Sequence, residues 1–260
     1  MKILKNITVF TMVMLLSVST VLEAREKNIS NFSSSASNLV DSTGTFDGNK
    51  IYADVANNGL FLDYHVSGDS ALEWPKGTGV HSIFQSALWM GATVNGSIRT
   101  IVGDYTQDMG PGPWGGDPLA AVHRIYKVEK SMLASPLDFA DFQEWPVEFG
   151  APWVDVDGDG VYTPLPGGTD HPEFLGDQVL WFVSNDGDPA YKLNFGTSPM
   201  NVEIQTTMFG FDRPDVFGDM VFLKQLVINK GSDDLVDTYM GLWSDPVSYT
   251  HLTLPTNREV

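Results

Sequence analysis

The chain has 260 residues, enough for one large domain or two small ones. Hydrophobic residues at 42% against charged residues at 18% can fill a core and exclude a disordered chain, and a formal charge of −18 disfavours nucleic acid and anionic lipid while drawing cations. There is no cysteine, which excludes disulfides, thiol nucleophiles and lipid attachment through an N-terminal cysteine.

Met1 to Ala24 has the parts of a secretory signal peptide: Lys2 and Lys5, an apolar centre from Ile7 to Leu16, and Glu23-Ala24 before the polar Arg25-Glu26-Lys27. The apolar run is short for a membrane span of about 20 residues. Cleavage is therefore the expectation, with no membrane span left and a secreted or outer-surface location. An exported chain without disulfides holds together by the size of its core, and metal can add to that. Residues 25–45 are rich in Ser and Asn and read as a flexible linker.

A β-rich domain is expected over residues 46–246. Ile51, Ala53 and Val55 alternate, Asn57-Asn58-Gly59 gives a turn, and Leu60 to Tyr64 follows as a strand. Leu88 to Val102 is the clearest hairpin, folded at Asn95-Gly96. Asp108 to Asp117, crowded with glycine and proline, is loop, and Pro118 to Leu133 has a mixed pattern. The aromatic spacing of Phe139, Phe142, Trp145 and Phe149 predicts a short helix packed on a sheet. Gln178 to Val183, Val202 to Phe211, Met220 to Asn229 and Val236 to Trp243 read as further strands, with Glu203, Gln205 and Thr207 on the face of their strand opposite its apolar residues. The predicted class is mainly β: an antiparallel β-sandwich-like fold with long loops and at most one or two short helices. A division into two subdomains near residues 150–175 stays open.

The chemically specific stretch is Trp153-Val-Asp155-Val-Asp157-Gly-Asp159-Gly160-Val161-Tyr162. Carboxylates at alternate positions followed by glycine suit a loop that curls around one hard cation, with the Val161 carbonyl as a fourth ligand. The twelfth position, where a helix-loop-helix calcium site places a bidentate glutamate, is Pro166. Pro152, Pro164 and Pro166 also forbid long flanking helices. The remaining ligand must then come from Asp170, Glu173 or Asp177. Three carboxylates this close repel one another unless a cation sits among them, and calcium suits them better than magnesium, which demands a stricter octahedron. The expected metal set is Asp155, Asp157, Asp159, Val161 and Asp170.

Other chemistry is poorly represented. His65, His81, His123 and His171 are scattered, no Gly-x-Ser-x-Gly elbow occurs, and Gly110 to Gly116 lacks the Lys-Ser/Thr of a phosphate loop. Glu73 beside Trp74 and Glu144 beside Trp145 are acids next to rings that a glycoside hydrolase could use, but tryptophans in β-proteins are mostly core. No catalytic residue is assigned, and an enzyme is the lesser reading.

Glu73-Trp-Pro-Lys-Gly77, Ala87-Leu-Trp-Met-Gly91, Val94-Asn-Gly96, Ala151 to Gly160 and Gly176-Asp-Gln-Val-Leu-Trp181 together resemble a group of large secreted bacterial proteins that commonly end in a type IX secretion sorting domain. The resemblance covers most of residues 52–246 and carries no established activity. It implies further β-domains and a sorting signal after the present chain. Val247 to Thr256, in contrast, resembles a translated sequencing adapter, so residues 247–260 are expected to be a non-native tail on a fragment. The expectation is a secreted or cell-surface calcium-binding β-protein with a structural or adhesive role, meeting extracellular polysaccharide or a surface protein. The alternative is a carbohydrate-active or other hydrolytic extracellular module.

Overall fold

The structure, a computed structural model, describes the backbone of residues 7–15 and, in full, residues 43–165 and 170–247. Most of the expected signal peptide and linker, Pro166, and the tail beyond Val247 lie outside the described residues. Within the leader's apolar centre, Ile7–Leu15 is a strand, β1.

Two large antiparallel sheets and one two-stranded ribbon make up the fold among the described residues. One runs in the order β1, β14 (Met220–Asn229), β13 (Val202–Gly210), β12 (Gln178–Asn185) and β8 (Gly110–Pro111), with β9 (Tyr126–Glu129) also paired to β12. The other runs β15 (Val236–Pro246), β6 (His81–Val94), β5 (Leu72–Glu73), β3 (Tyr52–Ala56) and β2 (Thr43–Phe46), with β4 (Leu60–Leu62) and β7 (Ser97–Val102) also paired to β6. The mainly β, antiparallel class expected from the sequence is the class found. Strands before and after residues 150–175 pair in both sheets, β15 with β6 and β9 with β12, so the two halves share one core.

The alternation of the strands explains the layers. Leu180, Phe182, Met208, Val221 and Leu223 from the first sheet meet Phe46, Val55, Leu72 and Ile83 from the second. Val202, Ile204 and Val227 extend that contact to Leu88, Met90 and Ile101. The opposite face of the first sheet is also covered. Tyr126, Val179, Trp181, Val183, Phe209 and Phe222 pack under a long excursion that carries Phe142 and Trp145. β12 is therefore buried along its whole length, as its unbroken apolar run Val179–Val183 permits. Each of its large side chains contributes about 1.5–3 kcal/mol of burial.

That third layer changes the reading of β13. Glu203, Gln205 and Thr207 do lie on the opposite face, yet Glu203 and Thr207 are buried and Gln205 nearly so. The overlying excursion engages two of them: Glu203 accepts from the Trp114 amide at 2.9 Å, and Gln205 Nε2 donates to the Phe149 carbonyl at 2.9 Å. The aromatic stripe at 139–149 yields a single short α-helix, α1 (Ala140–Gln143), continued by 3₁₀ turns. Phe142 and Trp145 are its core anchors, while Phe139 is exposed. The hairpin at 88–102 is present as β6 and β7, and Asn95 and Gly96 both take positive φ, as a two-residue turn between twisted strands requires.

Candidate metal centre

The acidic loop leaves and re-enters the excursion through a two-residue ribbon. β10 (Trp153–Val154) pairs with β11 (His171–Pro172), which closes the base of the loop directly before Asp155 and after Asp170. Apolar anchors hold that base to the outer face of the first sheet. Trp153 and Tyr162 meet edge to face at 5.6 Å, and the Tyr162 hydroxyl donates to the Phe142 carbonyl at 2.6 Å. Burial, and then the nearby Asp170 carboxylate, push the Tyr162 hydroxyl well above its ordinary range, so it stays a donor at every physiological pH.

Inside the loop the aspartates fold the backbone around themselves. The Asp155 carboxylate accepts from the Gly158 amide at 2.7 Å and the Gly160 amide at 3.0 Å. Asp157 accepts from the Asp159 amide at 3.2 Å, and Asp159 from the Val161 amide at 2.7 Å. Gly158 and Gly160 take φ of 78° and 77°, the left-handed turn that side chains with a Cβ resist. Asp170 arrives from the other end of the loop. It is buried, and its two oxygens accept from the Val156 amide at 2.9 Å and the Thr163 amide at 2.7 Å, which ties the two arms of the loop together.

The outcome is a convergence of four carboxylates. Asp155, Asp157, Asp159 and Asp170 each present one oxygen, and these oxygens lie within 4.8 Å of one another. Among the described residues no lysine, arginine or histidine makes an ion pair with any of the four. Such a group could hold a metal ion, since each oxygen keeps a free lone pair beside its amide bond and the amides fix its direction. No protein-family model, curated protein or solved structure matches the chain. The chemistry of the loop therefore has to be argued from its own atoms.

Of the three residues that could supply the further ligand, the fold brings in Asp170 and turns the other two elsewhere. Glu173 faces Lys224, with its carboxylate 3.8 Å from the ammonium, and Asp177 accepts from the Asp212 amide at 2.9 Å. Val161 stays in the loop, exposed, and its carbonyl accepts from the Thr163 hydroxyl at 3.4 Å. His171 lies in β11, with its Nδ1 2.8 Å from the Pro172 carbonyl and its ring stacked on Phe174. The amides of Val156 and Thr163 were not legible as part of the site, because an amide carries no side-chain signature.

The acids beside tryptophan are structural. Glu73 accepts from the Gly79 amide at 2.5 Å and closes a loop. Glu144 shares the Arg124 guanidinium with Asp141, at 3.1 Å and 2.6 Å. Trp145 is core and donates to the Pro152 carbonyl at 3.0 Å, while Trp74 packs on the inter-sheet core and donates to Asp219 at 3.0 Å.

Proposed function

We propose that the protein is a secreted or cell-surface calcium-binding β-protein with a structural or adhesive role. Calcium, held by Asp155, Asp157, Asp159 and Asp170 with the Val161 carbonyl, stiffens the long loop on the outer face of the first sheet. The observation that carries this reading is the convergence of Asp170 on the three loop aspartates from 11 residues beyond Asp159 in the chain. Two amide hydrogen bonds seat Asp170 there, and the arrangement leaves four carboxylates whose mutual repulsion a cation relieves. Calcium fits better than magnesium because the donors are carboxylates and carbonyls on a loop that can adjust its spacing, whereas magnesium keeps its waters and a rigid octahedron. Export is supported by the leader pattern at residues 1–24. The structural engagement of Glu73 and Glu144 favours a binding role over hydrolysis.

Calorimetric titration with calcium, beside thermal melts of the protein and of an Asp157→Asn/Asp159→Asn variant, tests the reading. Saturable binding with a raised melting temperature, both lost in the variant, is the expected result. Calcium at about 100 times its Kd stabilises by about 2.7 kcal/mol, a rise of roughly 5–10 °C for a chain of this size. Equal melts with and without calcium would reduce the loop to a solvated turn.

A further inference from the structure

The outer face of the second sheet carries a row of aromatic rings that join none of the three core clusters, the ring of Phe84 among them buried. In β6, Leu88 and Met90 point inward, so Trp89 points outward. The ladder to β15 sets Gly241 opposite Trp89 and Trp243 opposite Ala87, which puts both tryptophans on that same face. Their rings are nearly parallel, tilted by 6° with centroids 6.0 Å apart. The row continues through Tyr105, edge-on to Trp243 at 5.6 Å, to Phe84, and on to Tyr64, which stacks on Phe84 at 4.4 Å. Tyr239, paired with Gly91, is 76% exposed, and a Cβ at Gly241 would meet only open space, so the face between Tyr239 and Trp243 is open.

Polar groups are set among the rings. Trp89 Nε1 donates inward to the Gly103 carbonyl at 2.6 Å, which turns the indole's one polar atom away from solvent while the residue stays 37% exposed. The Tyr105 hydroxyl donates to Asp245 at 2.5 Å and pins that carboxylate near Trp243. Gln85, paired with Asp245, is fully buried, and its Oε1 has no hydrogen-bond partner among the described residues.

We infer that this strip binds a neutral polysaccharide built of pyranose units. One face of a pyranose is lined by C–H groups that carry partial positive charge, and the negative face of an aromatic ring attracts them. The sugar hydroxyls at the rim then find Asp245 and Tyr105. A protein surface of aliphatic side chains would instead press the remaining oxygen of Asp245 against carbon, at the cost of an unpaired charge. The net charge of −18 turns away uronate-rich and sulfated chains. The site names a partner class for the adhesive role but does not rest on calcium, because the aspartate loop packs on the outer face of the other sheet.

Affinity electrophoresis through gels containing hydroxyethyl cellulose, xyloglucan, a neutral α-glucan or polygalacturonate tests the inference, repeated with a chelator to separate it from the metal reading. The expected result is retardation by at least one neutral glycan, undiminished in chelator, with a shift of indole emission on titration. Tyr239→Ala and Trp243→Ala should weaken it at least tenfold, and Trp243→Phe should keep part of it. Tyr239 is so exposed that its alanine variant should melt like the parent, which keeps the test valid if Trp243→Ala fails to fold. Retardation by no neutral glycan, or only by polygalacturonate, would overturn the proposal, as would equal retardation of parent and variants. A parent dimer dispersed by Trp243→Ala, with no glycan binding, would assign the strip to self-association and overturn it too.

Discussion

Asp170 has two roles in the loop, and substitution separates them. Its buried carboxylate takes hydrogen bonds from the Val156 and Thr163 amides, at 2.9 and 2.7 Å, before any metal is present. Hydrogen bonds to a charged group are worth about 1.5–3 kcal/mol each, so Asp170→Ala removes about 3–6 kcal/mol from closure of the loop. The global loss is smaller, because the loop can open locally and return both amides to water. Asp157 differs: it is exposed and, among the described residues, accepts only the Asp159 amide. Its charge faces three others within 4.8 Å, a repulsion of about 0.9 kcal/mol per pair in water and less in salt. Asp157→Asn should therefore leave the calcium-free protein as stable as the parent or slightly more so. In chelator, Asp170→Ala is expected to lower the melting temperature by several degrees and to make the loop sensitive to protease, while Asp157→Asn does neither. In calcium, both should lose most of the gain. Identical behaviour of the two variants in chelator would refute the double role of Asp170. A full calcium gain in Asp170→Ala would remove it from the ligand set.

Three further outcomes follow from groups away from the loop. Lys192 is buried between Asp108 at 3.0 Å and Asp186 at 3.7 Å, so Lys192→Met leaves two unpaired buried carboxylates and should cost about 3–5 kcal/mol in urea unfolding. Burial already holds the Asp186 carboxyl above its ordinary 3.8, against the Val202 and Met200 amides and Lys192. Removing Lys192 takes away an influence that lowers Asp186, so its carboxyl rises further in Lys192→Met, and the variant's deficit should shrink as pH falls from that higher value toward the parent's; a deficit that does not change with pH would argue against it. Burial pushes Asp47 and Asp219 up, but hydrogen bonds from Lys127 and Gln178, and from Lys50 and Trp74, outweigh it and hold both below 3.8. Their stabilisation is complete above pH 3.8 and is lost as pH falls through the lowered values, so Lys127→Met should flatten the acid limb of a urea-midpoint profile between pH 5 and pH 2. Gly150 takes φ of 100° at the entry to the loop, where a Cβ would lie 2.5 Å from the Gln205 amide nitrogen; Gly150→Ala should destabilise by about 1–3 kcal/mol in thermal melts, and a change below 0.5 kcal/mol would show that both residues relax freely.

The parts of this molecule that could be read in advance are those in which one residue's chemistry decides the local structure. Asn95-Gly96 folds a hairpin because both positions need positive φ. Asp155, Asp157 and Asp159 mark a loop because alternate carboxylates and glycines have few other uses at that spacing. The alternation of Val202 to Gly210 correctly separated two faces, but it could not show that the second face is buried, since the cover comes from residues 112–117 and 147–151. Periodicity reports on one strand and is silent about what lies over it. The short strands β8 and β11 follow the same rule: Gly110–Pro111 and His171–Pro172 have no strand propensity and exist only because β12 and β10 lie beside them.

The aromatic row shows the converse. Trp89 and Trp243 are 154 residues apart, and each taken alone is most economically read as core. Their shared place depends on the register between β6 and β15, and a slip of one residue would send Trp243 inward and Leu242 outward. That register is held by the inner contacts of Leu242 and by a bulge at Phe84, where Gln85 and Ile83 face the consecutive residues Asp245 and Pro246. The bulge is also what brings Phe84 out of the core alternation to sit between Tyr64 and Tyr105. The bulge costs the ladder one regular pairing, and as its consequence the buried Phe84 ring joins two aromatic groups into the single row that the proposed glycan strip uses.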